Sequence, residues 1–173
     1  MMNIHKITLV GVLIAGAVVI GYLDSLIPSV GIPGIKLGLA NIVILITLYE
    51  LGIKEAIFVN ALRVVLVSLI AGTLLSYGFL MSLAGAILSL GVMILFHSLI
   101  KKFSIIGVSV LGALFHVIGQ IIVAMIFLES VYVLYYLPFI AVTSIITGVF
   151  VGIGSQLIIK TGAIKKIKEK YNF

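Results

Sequence analysis

Six predominantly apolar runs follow one another along this chain, over about 7–23, 35–51, 55–72, 79–100, 103–128 and 138–160, and the shortest has 17 residues. A helix that crosses a bilayer needs roughly 20 mostly apolar residues, so each run is close to one crossing. Of the 173 residues, 63% are hydrophobic and 9% are charged, whereas a soluble domain has about 45–50% and about 25%. The solvent for most of the chain is therefore lipid. Barrel strands would alternate apolar and polar residues over about 10 positions. These runs are continuous and longer, so helices are expected. The reading is an all-α integral membrane protein, one membrane domain of six transmembrane helices with a basic tail over 161–173. The first run follows a single lysine, and no small-residue cleavage site comes after it. It reads as an uncleaved span.

Lysine and arginine placement sets orientation. With the N-terminus in the cytoplasm, six spans return the C-terminus to the same side. Lys6, Lys54, Lys101, Lys102, Lys160, Lys165, Lys166, Lys168 and Lys170 then all fall inside, nine of the eleven basic residues. This is the pattern of a multi-pass protein of a bacterial cytoplasmic membrane. The net charge of +6 comes mostly from these helix ends, so it does not point to nucleic acid. The two exceptions are Lys36, at the outer mouth of the second span, and Arg63, well inside the third.

A charge inside a bilayer costs about 2.5–3.5 kcal/mol on insertion scales and usually faces a cavity or a partner. Arg63 follows Asn60 by three residues, so both share one helix face. On the fifth span Gly112, His116, Gln120 and Ala124 recur every fourth residue and draw one stripe, polar at its centre. Asn41 adds an amide to the second span. Asn60, Arg63, His116 and Gln120 are expected to look into a shared interior. Taken singly, Asn41, Asn60 and Gln120 also suit plain interhelical hydrogen bonding. Arg63 is different, because Asp24, Glu50, Glu55 and Glu129 all stand near expected helix ends. An interior arginine without an acid at its depth invites an anionic ligand, since its fork matches carboxylate and phosphate oxygens.

At the outer mouth, Lys36 follows Pro33-Gly34, and Tyr132, Tyr135, Tyr136 and Phe139 cluster around the start of the sixth span. The tyrosines read either as an interfacial belt or as an aromatic lid over a pocket. Lys36 reads either as a ligand contact or as the partner of Asp24 or Glu129. Span one carries two small-residue pairs on different faces, Gly11 with Ala15 and Ala17 with Gly21. Small residues let membrane helices approach closely. Two such faces exceed what one internal contact needs, so one is a candidate docking face for another membrane protein.

Several chemistries have no residues to carry them. There is no cysteine and no G-x-x-x-x-G-K-[ST] phosphate loop, so the chain has no thiolate site and cannot power transport by itself. No H-E-x-x-H occurs, and His5, His97 and His116 lie far apart. No metal, cofactor or catalytic residue is assigned. Enzymes that extend prenyl diphosphates use aspartate-rich segments, and this chain has a single aspartate, Asp24.

The segment Pro33-Gly34-Ile35-Lys36-Leu37-Gly38-Leu39-Ala40-Asn41, followed by Asn60-Ala61-Leu62-Arg63, resembles the small bacterial membrane proteins called heptaprenyl diphosphate synthase component I, or the Gx transporter family. The resemblance extends over nearly the whole chain. That family is in turn similar to the substrate-binding components of energy-coupling-factor transporters. Those are six-helix proteins that capture a solute from outside and dock on a transmembrane subunit driven by two ATPases. The resemblance implies docking through small residues spaced by four on the first helix. Gly11 and Ala15 fit that spacing, with glycine in place of the usual first alanine. The leading expectation is a non-enzymatic substrate-binding component for a small anionic or amphipathic solute, isoprenoid- or quinone-related, held by Lys36, Asn41, Asn60, Arg63, His116 and Gln120 beneath Tyr132 and Tyr135. The alternatives are a membrane accessory that partners a soluble prenyl diphosphate synthase, and a structural subunit of a membrane redox complex.

Overall fold

The computed structural model of the protein describes residues 4–27, 36–99 and 103–172. The expected turn through Pro28, Pro33 and Gly34, the start of the second run at Ile35, and Ile100, Lys101, Lys102 and Phe173 lie outside the described residues. Within them the chain forms helices and no strand: α1 (Ile4–Leu26), α2 (Asn41–Glu50), α3 (Ile53–Ile70), α4 (Tyr77–Leu99), α5 (Ile105–Phe127), α6 (Leu137–Lys160) and α7 (Ala163–Tyr171). A short 3-10 helix, Val131–Tyr136, leads into α6. Four segments are long and apolar enough to cross a membrane: α1, α4, α5 and the continuous Val131–Lys160 segment. The protein is a multi-pass membrane protein. The remaining two expected spans take other forms. α3 has 18 residues and carries Lys54, Glu55 and Arg63. α2 has 10.

The first helix outruns its apolar run at both ends. α1 starts before Ile7, through His5 and Lys6, and continues past Leu23 through Asp24 and Ser25. An apolar run marks where lipid is, whereas a helix keeps its backbone bonds for a further turn in polar sequence. Ser104 caps α5, its Oγ accepting from the Gly107 N–H at 3.0 Å, and Pro138 occupies the first turn of α6, where its missing N–H leaves no bond unmade.

The packing is set by small residues. α1 and α3 run parallel. Lys6 pairs with Glu55 near their starts, and Gly21 sits against Val67 and Arg63 farther along. α5 and α6 are antiparallel and approach so closely that a Cβ on Gly152 would lie 2.7 Å from the Ile106 Cα. Across the same contact Ser109 Oγ donates to the Gly148 carbonyl at 2.7 Å. At the end of the bundle that holds the N-terminus, α7 lies across the helix ends. Its Ile164 is buried, and Lys168 Nζ donates to the Glu50 carbonyl at the C-terminus of α2, 2.7 Å away. A cation there complements the negative end of the helix dipole.

The main departure from the expected bundle is the second run. Lys36 to Ala40 are not helical, and α2 begins only at Asn41, midway down the bundle, where Asn41 Nδ2 donates to Ser89 Oγ near the centre of α4 at 3.1 Å. Gly38 takes φ +81, a left-handed conformation that suits glycine. Irregular backbone at membrane depth survives only where protein satisfies its polar groups. Two side chains do this. The Asp24 carboxylate accepts from the N–H groups of Leu37, Gly38 and Leu39 at 3.3, 2.9 and 3.2 Å. Gln120 Oε1 accepts from the Lys36 N–H at 3.1 Å.

Asp24→Ala leaves those donors buried without an acceptor. At roughly 1 kcal/mol each, the expected loss is about 3 kcal/mol, read as a lowered Tm of the purified protein, with faster amide exchange confined first to residues 37–39. Glu129→Ala, at an exposed position, serves as the control with no change.

Candidate functional site

The helix break creates a small chamber where α1, α3, α4 and α5 meet, toward the end of the bundle opposite α7. Its wall includes Asp24, Lys36, Arg63, Ser68, Ser82 and His116. The cavity holds about 20 Å³, room for roughly one water molecule. Its charged side chains are two cations, Lys36 and Arg63, and one carboxylate, Asp24.

Arg63 is 6% exposed. Among the described residues its guanidinium makes one hydrogen bond, from Nη2 to Asn60 Oδ1 at 2.9 Å. Nε is buried without a partner, and no carboxylate of the described residues lies within ion-pair distance. A guanidinium has five donors in a fixed fork; among the described residues Nη2 alone has an acceptor, Asn60 Oδ1. Asn60 is hydrogen-bonded at both amide atoms: Nδ2 donates to the Ala86 carbonyl at 3.1 Å while Oδ1 accepts from the arginine. It ties α3 to α4 and aims Arg63.

The opposite wall is a relay that begins in the backbone. The Lys36 N–H fixes Gln120 with Oε1 toward it, so Gln120 Nε2 must be the donor to His116 Nε2, 2.9 Å away. His116 Nε2 is thus an acceptor, which makes the ring neutral with its proton on Nδ1. Nδ1 faces the Gly85 backbone and makes no hydrogen bond of good geometry there. Ser68 Oγ is also buried without a partner. Arg63 Nε and Ser68 Oγ are thus two buried polar atoms without a partner on residues that line one small space.

Of the residues singled out in the sequence, Lys36, Arg63 and His116 line the chamber directly. Gln120 and Asn60 hold its walls. Asn41 lies beside them as a strut, against Gly38. Tyr132 and Tyr135 are 75% and 80% exposed and stack on one another at 6.0 Å, on a 3-10 helix that packs on α5 and α6. The two small-residue faces of α1 separate. Ala17 and Gly21 are buried, whereas Gly11 and Ala15 are exposed, and a Cβ at Gly11 would meet no atom within 4 Å. The expectation that no acid reaches the depth of Arg63 is corrected: Asp24 is buried inside α1 and shares the chamber. It anchors backbone and forms no ion pair with Lys36. Sequence reasoning missed Ser68 and Ser82, and it gave Asp24 only as a helix-end acid and a partner for Lys36. A lone aspartate at the end of an apolar run was the available signal; the two serines gave none.

No cluster of three or more histidine, cysteine or acidic side chains able to hold a metal occurs among the described residues.

Comparison with known proteins agrees with the segment around Lys36 and Arg63. The family described as heptaprenyl diphosphate synthase component I matches residues 13–158. No curated protein and no solved structure matched the chain. The matched stretch contains the helix break, the chamber and all six chamber residues named above, and the chain belongs to the heptaprenyl diphosphate synthase component I family.

Proposed function

We propose that this chain is the substrate-binding membrane component of a transporter, which takes a small anionic or amphipathic solute into the Arg63 chamber and docks on an ATP-driven partner. The observation that carries this reading is the state of Arg63: a cation buried in the third helix, with one hydrogen bond spent and no ion pair among the described residues. Burying a charge without a partner is destabilising, so a site that keeps one has a use for it. The wall's two cations and one carboxylate favour a ligand with net negative charge. The chamber has room for about one water in this form, and admission of a solute requires release of the Lys36–Ala40 segment from Asp24 and Gln120. The exposed tyrosines at 132 and 135 stand at the same end of the bundle and are proposed to cover the mouth once a solute is in place.

In this reading all six helical segments of the bundle sit in a bacterial cytoplasmic membrane, with both termini inside. Lys6, Lys54, Lys160, Lys165, Lys166, Lys168 and Lys170 stand at the end that carries α7, which supports that side as cytoplasmic. The outward face of α1, with Gly11 and Ala15, is free to meet a coupling subunit. A second reading is favoured by the family name, which denotes one component of a synthase and implies a second. Here the chain would be a membrane accessory that presents or receives a prenyl diphosphate for a soluble catalytic partner.

Native mass spectrometry of gently purified protein is expected to show a retained small anion that is lost in Arg63→Met. The same variant should keep or raise its Tm, because it removes a buried, under-bonded charge. Retention of the same molecule by Arg63→Met would overturn the site. For the partner, Gly11→Phe with Ala15→Phe should abolish copurification with ATPase-bearing subunits while Tm stays unchanged. Copurification of a soluble prenyl diphosphate synthase in place of those subunits would favour the accessory reading.

A further inference from the structure

The charges around the chamber do not balance among themselves. Among the described residues, Lys36 and Arg63 stand against Asp24, and the contact with Gln120 keeps His116 neutral. One positive charge is left over in a wall that also includes the apolar Gly21, Val64 and Val67. Two buried polar atoms there lack a partner, Arg63 Nε and Ser68 Oγ, on residues 6% and 1% exposed. Ser68 departs from the habit of this bundle. Thr47, Ser82, Thr147 and Ser155 each donate to the carbonyl four residues back, at 2.7, 2.9, 2.9 and 2.8 Å, as helical hydroxyls commonly do. Ser68 lies in α3 and makes no such bond. Asp24 does not serve as the missing acceptor, because its two oxygens already hold the N–H groups of Leu37, Gly38 and Leu39. A water molecule would satisfy the free donors but leave the charge, and a buried charge without a partner costs more than an unmade hydrogen bond.

We propose that the chamber holds one monatomic anion, of which chloride is the abundant one, on Arg63 Nε and Ser68 Oγ, with Lys36 as the second cation. The proposal rests on the reading of Arg63 as an anion anchor and adds what occupies the anchor before a solute arrives. Charge, size and donors select the same kind of particle. A single monovalent anion brings the chamber to neutrality, whereas a divalent one would overshoot. The space of about 20 Å³ is that of roughly one water molecule. Chloride is only slightly larger, while nitrate, sulfate and carboxylates exceed the space and require the Lys36–Ala40 segment to move. Fluoride is small enough, but it holds its hydration shell too strongly for so few donors to replace. Bound chloride accepts from the two unpartnered groups and offsets the surplus charge. It therefore stabilises the form in which Asp24 and Gln120 hold the segment. The anionic group of a solute needs the same donors, so solute and chloride bind in competition.

The test uses the full-length protein in nanodiscs of zwitterionic lipid, dialysed at length into sodium gluconate, whose anion is too large for the chamber. Radiolabelled chloride is then titrated at constant ionic strength, with Tm followed in parallel. The expected result is saturable binding of one chloride per chain and a Tm that rises with occupancy, since the ion binds only the folded form. Bromide should compete for the site and sulfate should not. Ser68→Ala removes a hydroxyl without a partner and leaves every charge in place. It should weaken chloride about tenfold, the worth of one hydrogen bond to a charged group. Arg63→Met should abolish both the saturable binding and the dependence of Tm on chloride. Should Arg63→Met fail to fold, Ser68→Ala carries the test. Absence of saturable binding in the wild type, or equal binding by the wild type and both variants (an adventitious ion only), overturns the proposal. A protein that binds no chloride but retains an organic anion through Arg63 keeps the anion-anchor reading and loses the resident ion. Chloride held through Arg63 and Ser68 in a protein that retains no organic anion leaves the ion site standing and removes the solute.

Discussion

A bilayer offers no water to unpaired backbone, and the Asp24 carboxylate answers that constraint where the Lys36–Ala40 segment leaves the helical conformation. Without an acceptor for the N–H groups of Leu37, Gly38 and Leu39, the Lys36–Ala40 segment would have to become helical or leave the membrane. With it, α2 can begin midway through the bundle, and the space a longer helix would fill becomes a chamber. Gln120 completes the arrangement from α5, and in doing so it sets the tautomer of His116. A backbone requirement thus orders three ionisable or amide side chains around a single small cavity.

The same constraint explains why a cation can stay there. Arg63 is held by Asn60, and the carboxylate in the chamber is occupied with the backbone. Asp24 therefore contributes its charge to the site without closing on the guanidinium. Structure and electrostatics are divided between neighbouring residues: Asp24 and Gln120 keep the segment in place, Asn60 keeps Arg63 aimed, and Arg63 keeps Nε without a partner. The close contacts at Gly148 and Gly152 make α5 and α6 a tight pair on which the relay from Gln120 can be fixed.

Much of this was readable in the sequence. Continuous apolar runs locate α1, α4, α5 and α6 because their lengths exceed anything a small soluble domain buries. The four-residue stripe on α5 predicts its inward face, and Gly112, His116, Gln120 and Ala124 are all buried. Asn60 and Arg63 do share a face and touch. The break before α2 was hidden because Leu37, Leu39 and Ala40 are as apolar as the helix that follows. Only Gly38 marked it, and glycine is common in membrane helices. Asp24 reads as a helix-end acid because an acid beside lipid usually is one; its three bonds depend on a segment brought back from 13–15 positions later. The two faces of α1 could be listed from spacing, but which one faces inward needed α3.

The claim at the centre of this account is that Asp24 closes the chamber by holding the Lys36–Ala40 segment. The chain has no cysteine, so a single Ser68→Cys substitution places one thiol in the chamber wall. Its rate of reaction with a small, charged methanethiosulfonate in intact membranes reads closure directly. The account predicts a protected thiol in the Ser68→Cys protein and rapid labelling once Asp24→Ala is added. Equal labelling with and without Asp24 would contradict it.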